Sequence, residues 1–312
     1  MNDVDKMQFR DKRILITGAN GFIGRHLAGI LSVQGAQVSF LDRIASGGPA
    51  HPEYIGDLRD AAFVDRTISH CDPEIIFHLA AYKERVPELE AFSQAIAVNV
   101  LGSLNLFTAA KKLSSLRSII VIGTAEEYGR NPSPFSEKDR EAPVNAYSYS
   151  KLCVTHLGEM LYKHYGLPCV MIRPTLAYGP GQDVDMFLPA LIQSLINDHP
   201  FLMTPGRQTR DYLYITDLID ALMSSALERN ALGQIINVGS GQSIAIADLA
   251  LKVQEYIGKT NLVKIGAKQY RAGEAMEYSV DGSKAKQILH WQPRVLLEQG
   301  LKNTITFYQR GK

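Results

Sequence analysis

The sequence predicts an α/β fold in which a doubly wound parallel sheet is followed by a smaller C-terminal lobe. Short apolar runs alternate with longer amphipathic stretches up to about residue 240. A glycine-rich turn follows the first of these runs, and after Arg173 prolines and glycines break the pattern into short pieces. The runs are apolar throughout, so we expect helices to cover both faces of the sheet.

The order of the elements follows from these patterns. We expect strands at residues 13–17, 37–41, 75–78, 118–122, 168–173 and 234–238, and a further short strand before Gly56. We expect helices at residues 22–34, 61–69, 91–113, 147–165 and 216–228, and later in the chain at 247–257, 283–289 and 296–308.

Two parts of the chain are expected to make up the smaller lobe. Residues 1–173 form the large domain, and residues 214–240 return to its sheet. Residues 174–213 and 241–312 then form a discontinuous lobe that covers the carboxyl edge of the sheet, where ligands bind in open α/β sheets.

Composition and charge argue against several classes of protein. The chain has 312 residues, of which 46% are hydrophobic and 21% charged, and its net charge of +1 gives no basis for binding nucleic acid or a membrane surface. We find no apolar stretch of the ~18 residues that a membrane-spanning helix needs, and no signal peptide in the polar first residues. The cysteines, Cys71, Cys153 and Cys169, lack metal-ligand spacing. We therefore expect reduced thiols, a cytoplasmic location and no metal.

The turn after the first strand indicates a dinucleotide site. Gly18, Gly21 and Gly24 lie between the first predicted strand and the first predicted helix. Such a turn lets the backbone approach a pyrophosphate at the positive end of a helix, and the last glycine permits close packing of helix on strand. We predict a Rossmann-type cofactor site; the alternative is a tight turn that binds nothing.

An acidic residue after the second strand bears on the choice of cofactor. Asp42 lies at the distance from Gly24 at which an acid binds the adenosine ribose hydroxyls. Its charge repels a 2′-phosphate, so NAD is favoured over NADP. Arg43 lies next to it and is able to accept that phosphate, so NADP stays open.

A second acid follows the third strand. Two roles are open to Asp57, because its carboxylate suits either the adenine amino group or the cap of a helix that starts near Asp60.

A tyrosine and a lysine at helical spacing suggest acid–base chemistry. Tyr147 and Lys151 are at positions i and i+4, so a helix places them on one face. A nearby ammonium favours the phenolate and lowers the pKa of the phenol from ~10. The alternative is a pair of ordinary surface residues. Tyr149 points to a different face of the helix.

Together these features resemble the extended short-chain dehydrogenase/reductase family, specifically its nucleotide-sugar epimerases, dehydratases and ketoreductases. The resemblance covers nearly the whole chain and is specific for the family, but much less so for the reaction. Its motifs are TGANGFIG (17–24), LDR (41–43), GDL (56–58), FHLAA (77–81), NVLGSLNL (99–106), GTAEEYG (123–129), YSYSK (147–151), RPTLAYGPG (173–181), RDYLYITDL (210–218) and DGSKAKQILHWQP (281–293).

The resemblance implies three catalytic positions. Thr124 matches the serine or threonine that hydrogen-bonds the reacting sugar oxygen, Tyr147 matches the catalytic tyrosine, and Lys151 matches the lysine that holds the nicotinamide ribose and tunes the phenol. In nucleotide sugars the reacting carbon is usually carbon 4.

The same resemblance implies the binding sites. The cofactor site consists of Gly18, Asn20, Gly21, Phe22, Ile23, Gly24, Asp42, Arg43, Asp57, Leu58, Leu79, Ala80, Ala81, Lys83, Asn99, Tyr147 and Lys151. Asn99 is expected to orient the site rather than to react. The substrate site consists of Lys83, Thr124, Glu126, Arg210 and Arg271. A surface salt bridge is an alternative role for each arginine, and an exposed loop charge for Lys83.

Two positions that depart from the family pattern are Leu176 and Lys83, which lies beside the expected pocket where family members often have small or polar residues. Leu176 occupies a position that is often asparagine, so a polar contact to the substrate diphosphate is lost. Dehydratases carry Thr-Asp-Glu or Thr-Ser-Glu where this chain has Thr124-Ala125-Glu126, so the position of the base is filled and the neighbouring acid is absent. We expect Thr124 and Glu126 to face the cleft, and Glu127 to face solvent.

These observations predict an NAD-dependent epimerase or dehydratase that acts at carbon 4 of a nucleoside-diphosphate hexose. The main alternative is an NAD(P)H-dependent reductase of a 4-keto-6-deoxyhexose nucleotide. A UDP-uronate decarboxylase and a non-catalytic sensor of the cofactor rank lower. The resemblance also implies a homodimer joined through helices 91–113 and 147–165.

Overall fold

A computed structural model describes residues 8–46, 51–84, 89–270 and 274–311. The strands are β1 (Arg13–Thr17), β2 (Gln37–Asp42), β3 (Glu53–Ile55), β4 (Ile75–His78), β5 (Ser118–Ile122), β6 (Cys169–Pro174), β7 (Leu176–Tyr178), β8 (Phe201–Leu202), β9 (Thr209–Tyr214), β10 (Ile235–Val238), β11 (Ser243–Ala245) and β12 (Val263–Lys264).

Ten α-helices accompany these strands in the described part of the chain. They are α1 (Phe22–Val33), α2 (Ala61–Cys71), α3 (Glu90–Ala95), α4 (Gly102–Ala110), α5 (Ala146–Tyr165), α6 (Phe187–Ile196), α7 (Ile215–Leu227), α8 (Ile246–Ile257), α9 (Ser283–Leu289) and α10 (Leu297–Arg310). A π-helical segment (Ile96–Leu101) joins α3 to α4, and 3₁₀ turns cover Ala125–Tyr128 and Arg229–Ala231.

Seven parallel strands form the central sheet in the order β10-β6-β5-β4-β1-β2-β3. Leu15 pairs with Ser39 on one side and with Ile76 on the other, which fixes the register around the first strand. The chain changes direction across the sheet between β1 and β4. In open α/β sheets this switch point is where a crevice forms at the carboxyl ends of the strands.

Alternate residues of a central strand belong to two separate hydrophobic cores, one on each face of the sheet. Ile14 and Ile16 of β1 belong to the core that includes α1, α6 and α7, whereas Leu15 belongs to the core that includes α2, α4 and α5. Because side chains alternate across a strand, a strand that is buried on both faces has to be apolar at every position. This accounts for the continuous apolar runs in the sequence.

Glu90–Ala110 is a continuous helical stretch, and it contradicts the expectation that no apolar stretch is long enough to span a membrane. By its length and mean hydropathy it is apolar enough to cross a membrane, and it is the single such stretch among the described residues. In this fold it packs against α2 and α5 beside the sheet. Its buried side chains include the polar Asn99 and Ser103, which bind neighbouring elements.

Small sheets lie outside the central one. β7, β9 and β11 form a three-stranded sheet, and β8 pairs with β12. The sequence patterns do not predict these strands or α6. Pro189 discouraged a helix there, but it is the third residue of α6, where a missing N–H breaks no hydrogen bond of the helix.

The seven central strands and the helices that cover them lie close to the predicted ranges. β1, β4 and β5 match the predicted ranges, and β10 returns to the edge of the sheet beside β6. Helix α5 starts one residue earlier than predicted because Asn145 caps it by accepting a hydrogen bond from Ser148 N at 2.8 Å.

Asp60 is expected to stabilise the fold by capping α2. Its carboxylate accepts a hydrogen bond from Phe63 N at 3.0 Å. Replacing it by alanine should lower the free energy of unfolding by about 1 kcal/mol. Ser69→Ala, an exposed change in the same helix, should alter it by less than about 0.5 kcal/mol. Urea unfolding of both variants measures the difference, and equal stabilities would show that the cap contributes nothing.

Candidate active site

The loops that follow β1, β4 and β5 all leave the carboxyl edge of the sheet. These strands are neighbours, so the loops lie beside the switch point. They contain the glycine turn, the segment from Leu79 to Lys83 and the segment from Thr124 to Tyr128. The arrangement brings most of the predicted site residues to one edge.

The glycine turn has no room for a side chain at Gly18 or Gly24. Gly18 has φ +70°, and a Cβ atom there would lie 2.7 Å from Ala80 N. A Cβ atom on Gly24 would lie 2.5 Å from Gly18 O. Both contacts are with backbone atoms that cannot swing aside, so larger residues would deform the turn.

The N-terminus of α1 points into this turn. Its N-cap is Gly21, which offers no side-chain oxygen to the first N–H groups of the helix. Phe22 and Ile23 are the first helical residues. Unsatisfied amides and the positive end of the helix dipole favour an anion such as a pyrophosphate at this position.

Asp42 is held against the glycine turn. Its carboxylate accepts hydrogen bonds from Asn20 N at 3.0 Å and from Arg43 N at 2.7 Å, and Asn20 Nδ2 donates to Ile44 O at 2.6 Å. The acid is therefore placed where ribose hydroxyls would bind, and its charge disfavours a 2′-phosphate. The Arg43 side chain is exposed.

Asp57 does not cap a helix. It accepts hydrogen bonds from Arg59 N at 2.8 Å and from the Arg59 guanidinium, which lowers the pKa of its carboxyl. The cap of α2 is Asp60, so the capping role considered for Asp57 was wrong. A contact between Asp57 and adenine stays a prediction. The adjacent Leu58 is buried, and a Cβ atom on Gly102 would touch its side chain.

A buried histidine network supports the loop after β4. His78 Nδ1 lies 2.7 Å from Thr17 Oγ1, and His78 Nε2 lies 2.8 Å from Ser103 Oγ. Ala80 N donates to Thr17 Oγ1 at 3.2 Å. Burial, helped by the charge of Lys151, lowers the pKa of His78 to about 3, so the ring is neutral at physiological pH. The network holds Leu79, Ala80 and Ala81 against the glycine turn.

Asn99 binds the backbone of the loop that follows β4. Its Oδ1 accepts from Tyr82 N at 2.6 Å, and its Nδ2 donates to Tyr82 O at 3.0 Å and to Ser150 Oγ at 2.8 Å. These bonds join the loop to α5, next to Lys151. The expected orienting role suits this geometry, and a direct contact of Asn99 with the cofactor stays a prediction.

Lys83 reaches across to the smaller lobe. Its side chain is exposed, and Nζ forms an ion pair with Asp183 Oδ2 at 3.1 Å. The lysine holds the pKa of the Asp183 carboxyl below its ordinary value. Binding of cofactor or substrate by Lys83 stays a prediction.

Thr124 begins the turn that follows β5. It is buried at the N-terminus of this 3₁₀ turn. Its Oγ1 accepts a hydrogen bond from Glu126 N at 3.2 Å. This bond uses one of the two lone pairs of the hydroxyl oxygen, and a hydrogen bond from the hydroxyl to a substrate oxygen stays a prediction.

The two acids after Thr124 lie in different environments, but not as the sequence suggested. Glu126 is half-buried, whereas Glu127 is completely buried and was wrongly expected to face solvent. Glu127 Oε1 accepts from Thr124 N at 3.0 Å, and Oε2 accepts from Arg173 Nε at 2.7 Å. Arg173 needs a buried counter-charge at the end of β6, and Glu127 supplies it.

Tyr147 and Lys151 lie in the first turns of α5, which packs against the 3₁₀ turn. Lys151 is only 3% exposed, and burial lowers its pKa to about 8. Tyr149 is 45% exposed and lies against Phe92 instead. Tyr147 and Lys151 are therefore less exposed than Tyr149, which lies between them in the sequence.

The smaller lobe contributes Arg210. Its guanidinium lies 2.5 Å from a Glu274 carboxylate oxygen and 6.0 Å from the centre of the Tyr278 ring. Arg271 lies outside the described residues. Leu176 packs against the buried cluster of Tyr128 and Phe135, so this departure from the family pattern serves packing.

The arrangement combines a dinucleotide cradle with a hydroxyl, a phenol and a buried ammonium at one sheet edge. The glycine turn would hold the pyrophosphate of NAD, Asp42 its ribose, and the buried ammonium of Lys151 a further hydroxyl. Bound NAD supplies hydride transfer. The residues of the chain supply proton transfer and orientation.

Comparison with known proteins agrees with this geometry. A model of the NAD dependent epimerase/dehydratase family matches residues 14–239. The chain belongs to this family. UDP-N-acetyl-α-D-glucosaminuronate decarboxylase of Bacillus cytotoxicus is 30% identical, over 96% of this chain and 98% of its own.

Solved structures of this family have the same fold. UDP-glucose 4-epimerase of Thermotoga maritima, solved with UDP-glucose, is 26% identical with a TM-score of 0.89, over 96% of this chain and 99% of its own. UDP-glucose 4-epimerase of Thermus thermophilus, solved with NAD, is 26% identical with a TM-score of 0.86, over 95% and 98%.

These findings confirm the predicted resemblance, the Rossmann-type fold, the enzyme class and NAD as cofactor. Sequence reasoning missed the partnership of Glu127 with Arg173. A charged residue at the end of an apolar strand such as β6 was the available indication, because a buried arginine requires an acid nearby.

Gly24 is expected to be essential for NAD binding. In Gly24→Ala the new Cβ collides with the backbone of Gly18 and Ala19, so NAD affinity should fall at least about 10-fold. The matched control is Gly29→Ala in the same helix, where a Cβ meets nothing within 4 Å. The control should bind NAD as the wild type does. Calorimetric titration with NAD measures both, and equal affinities would contradict the role of the turn.

Proposed function

We propose that this enzyme oxidises carbon 4 of a nucleoside-diphosphate hexose with a retained NAD and completes its cycle as an epimerase or a dehydratase. The observation that carries the proposal is the placement of Tyr147 and Lys151 on α5, against the turn that begins with Thr124. Tyr147 and Thr124 suit one sugar oxygen, Lys151 suits the phenolate and the cofactor ribose, and Asp42 favours a cofactor without a 2′-phosphate.

Each of the three side chains has a defined part in the proposed chemistry. The phenolate of Tyr147 takes the proton of the carbon 4 hydroxyl as hydride leaves that carbon. The Thr124 hydroxyl donates a hydrogen bond to the same oxygen and orients it. The ammonium of Lys151 favours the phenolate and binds the cofactor ribose. Reduction reverses these transfers, with Tyr147 as the acid.

Glu126 decides between the two outcomes in this proposal. Epimerisation needs the hydride to return to the opposite face of carbon 4 and requires no further base. Dehydration needs a base for the proton on carbon 5. Glu126 is half-buried within two residues of Thr124, so it is our candidate for that base.

The substrate class is supported by the lobe and by the relatives. Arg210 presents a guanidinium next to Glu274, which suits a diphosphate and the hydroxyls next to it. Arg271 and Lys83 are proposed as further contacts. Because the relatives described above are named for UDP-sugars or solved with one, we propose UDP-hexoses and UDP-uronates as the first substrates to assay. Residues 174–213 and 241–312 are our proposed substrate lobe.

We also propose a cytoplasmic homodimer. The two long helical elements beside the sheet carry exposed apolar side chains, which a second copy would cover. They are Leu101, Leu104, Met160, Tyr162 and Tyr165.

A substrate panel tests the proposed function. The purified enzyme is incubated with UDP-, GDP-, CDP- and dTDP-hexoses and UDP-uronates, without added cofactor. We expect turnover with no net consumption of cofactor. Stoichiometric oxidation of NAD(P)H with a 4-keto substrate alone would instead identify a reductase, and release of carbon dioxide from a uronate would identify a decarboxylase.

Tyr147→Phe is expected to lower kcat by about 10²-fold or more, because it removes the group that transfers the proton. Tyr149→Phe changes the same kind of side chain two residues away on an exposed face, and its kcat should equal that of the wild type. Steady-state kinetics with the active substrate compare them. Equal losses in both variants would remove Tyr147 from the mechanism.

Glu126→Gln is expected to separate elimination from redox chemistry. If the enzyme is a dehydratase, this variant should lose about 10²-fold or more of its dehydration rate but still exchange hydride at carbon 4, because the carboxylate acts only on carbon 5. Product analysis by NMR measures both. Unchanged dehydration would reduce Glu126 to a binding residue.

A further inference from the structure

A buried charge cluster lies directly beneath the catalytic turn. Arg173 is completely buried, and it donates to Glu127 Oε2 through Nε and to Glu141 Oε1 through Nη2, both at 2.7 Å. Its guanidinium lies 4.7 Å from the centre of the Tyr128 ring. Lys151 is buried on α5, which packs against the turn that contains Glu127. The negative charge of Glu127 raises the pKa of Lys151 and so opposes the effect of burial.

The chain leaves room for the Glu127 carboxylate. A Cβ atom on Gly123 would lie 2.6 Å from Glu127 Oε1. The absence of a side chain at Gly123 thus lets this oxygen reach Thr124 N, at 3.0 Å. A carboxylate that only neutralised Arg173 would not need this second contact, so its position serves Thr124 as well.

Two buried cations, Arg173 and Lys151, share this region with two acids, Glu127 and Glu141. Arg173 has a second acid in Glu141, which is partly exposed. Among the described residues Lys151 forms no ion pair with an acid within 4 Å; its charge interacts with Glu127 and with the neutral ring of His78. Burial raises the pKa of the Glu127 carboxyl, and the Arg173 guanidinium and the Thr124 amide oppose that rise. Because the guanidinium cannot lose its proton, it holds Glu127 in its charged form.

We propose that Glu127 is a positioning residue, whose carboxylate fixes the amide of Thr124 and whose charge keeps Lys151 in its ammonium form. The catalytic consequence rests on the proposed function, because it matters only if Lys151 and Thr124 act on a bound sugar. The charge relationship itself concerns the protein alone and is measurable without any substrate.

Titration of Lys151 tests the proposal directly. Protein labelled with ¹³Cε-lysine is followed by NMR against pH, with the Lys151 signal identified by its loss in Lys151→Met. In the wild type we expect the midpoint near the pKa of about 8 that burial and Glu127 produce together. In Glu127→Gln the ammonium loses its negative neighbour, so the midpoint should fall by about 1 pH unit.

Glu141→Gln is the matched control. It removes the other acid on Arg173 but touches neither Thr124 nor Lys151, so it should lower the melting temperature and leave the Lys151 midpoint unchanged. If Glu127→Gln does not fold, the double variant Glu127→Gln/Arg173→Met removes both buried charges; because Arg173 repels the ammonium, its Lys151 midpoint should fall by less than that of the single variant. An unchanged midpoint in a folded Glu127 variant would overturn the proposal.

The turnover readout separates this inference from the proposed function. With an active substrate, the alkaline limb of kcat/KM should move to lower pH in Glu127→Gln by the same amount as the Lys151 midpoint. If no sugar nucleotide is turned over by the wild type, the proposed function fails while the NMR titration still decides the role of Glu127.

Discussion

The catalytic edge of this fold depends on the buried ion pair between Arg173 and Glu127. Arg173 is the penultimate residue of β6, and Glu127 lies in the turn after β5, so the pair joins two neighbouring strands near their carboxyl ends. Removing one partner of a buried pair costs about 3–5 kcal/mol, because the other charge is left without compensation. The same carboxylate accepts a hydrogen bond from Thr124 N, so the ion pair that stabilises this edge of the sheet also fixes the position of Thr124.

The central sheet was predictable because its signal is local. A strand buried on both faces must be apolar at every position, and the runs at β1, β4 and β5 therefore stand out in the sequence. The smaller lobe was not predictable in the same way. Strands as short as β8 and β12 carry too few residues to show a period, and their pairing joins distant parts of the chain. In α6 a proline in the first turn concealed a helix that tertiary packing sustains.

The candidate site was predictable where a residue type has a fixed geometric use. The glycines of the first turn and the i, i+4 spacing of Tyr147 and Lys151 are of this kind. Glu127 was not, because its burial depends on Arg173, which lies 46 positions further along the chain. Two adjacent acids look equally solvated in sequence. Only the fold shows that one, Glu127, is a buried counter-charge and that the other, Glu126, is half-buried.

The most direct test of the central claim follows deuterium from carbon 4. Sugar nucleotides deuterated at that carbon are incubated with the enzyme, and the product is examined by NMR and mass spectrometry. Oxidation and reduction with a retained NAD predict that the deuterium stays in the product, at carbon 4 after epimerisation or at carbon 6 after dehydration. Product that keeps its deuterium at carbon 4 with unchanged configuration, or deuterium released onto free cofactor, would contradict the account.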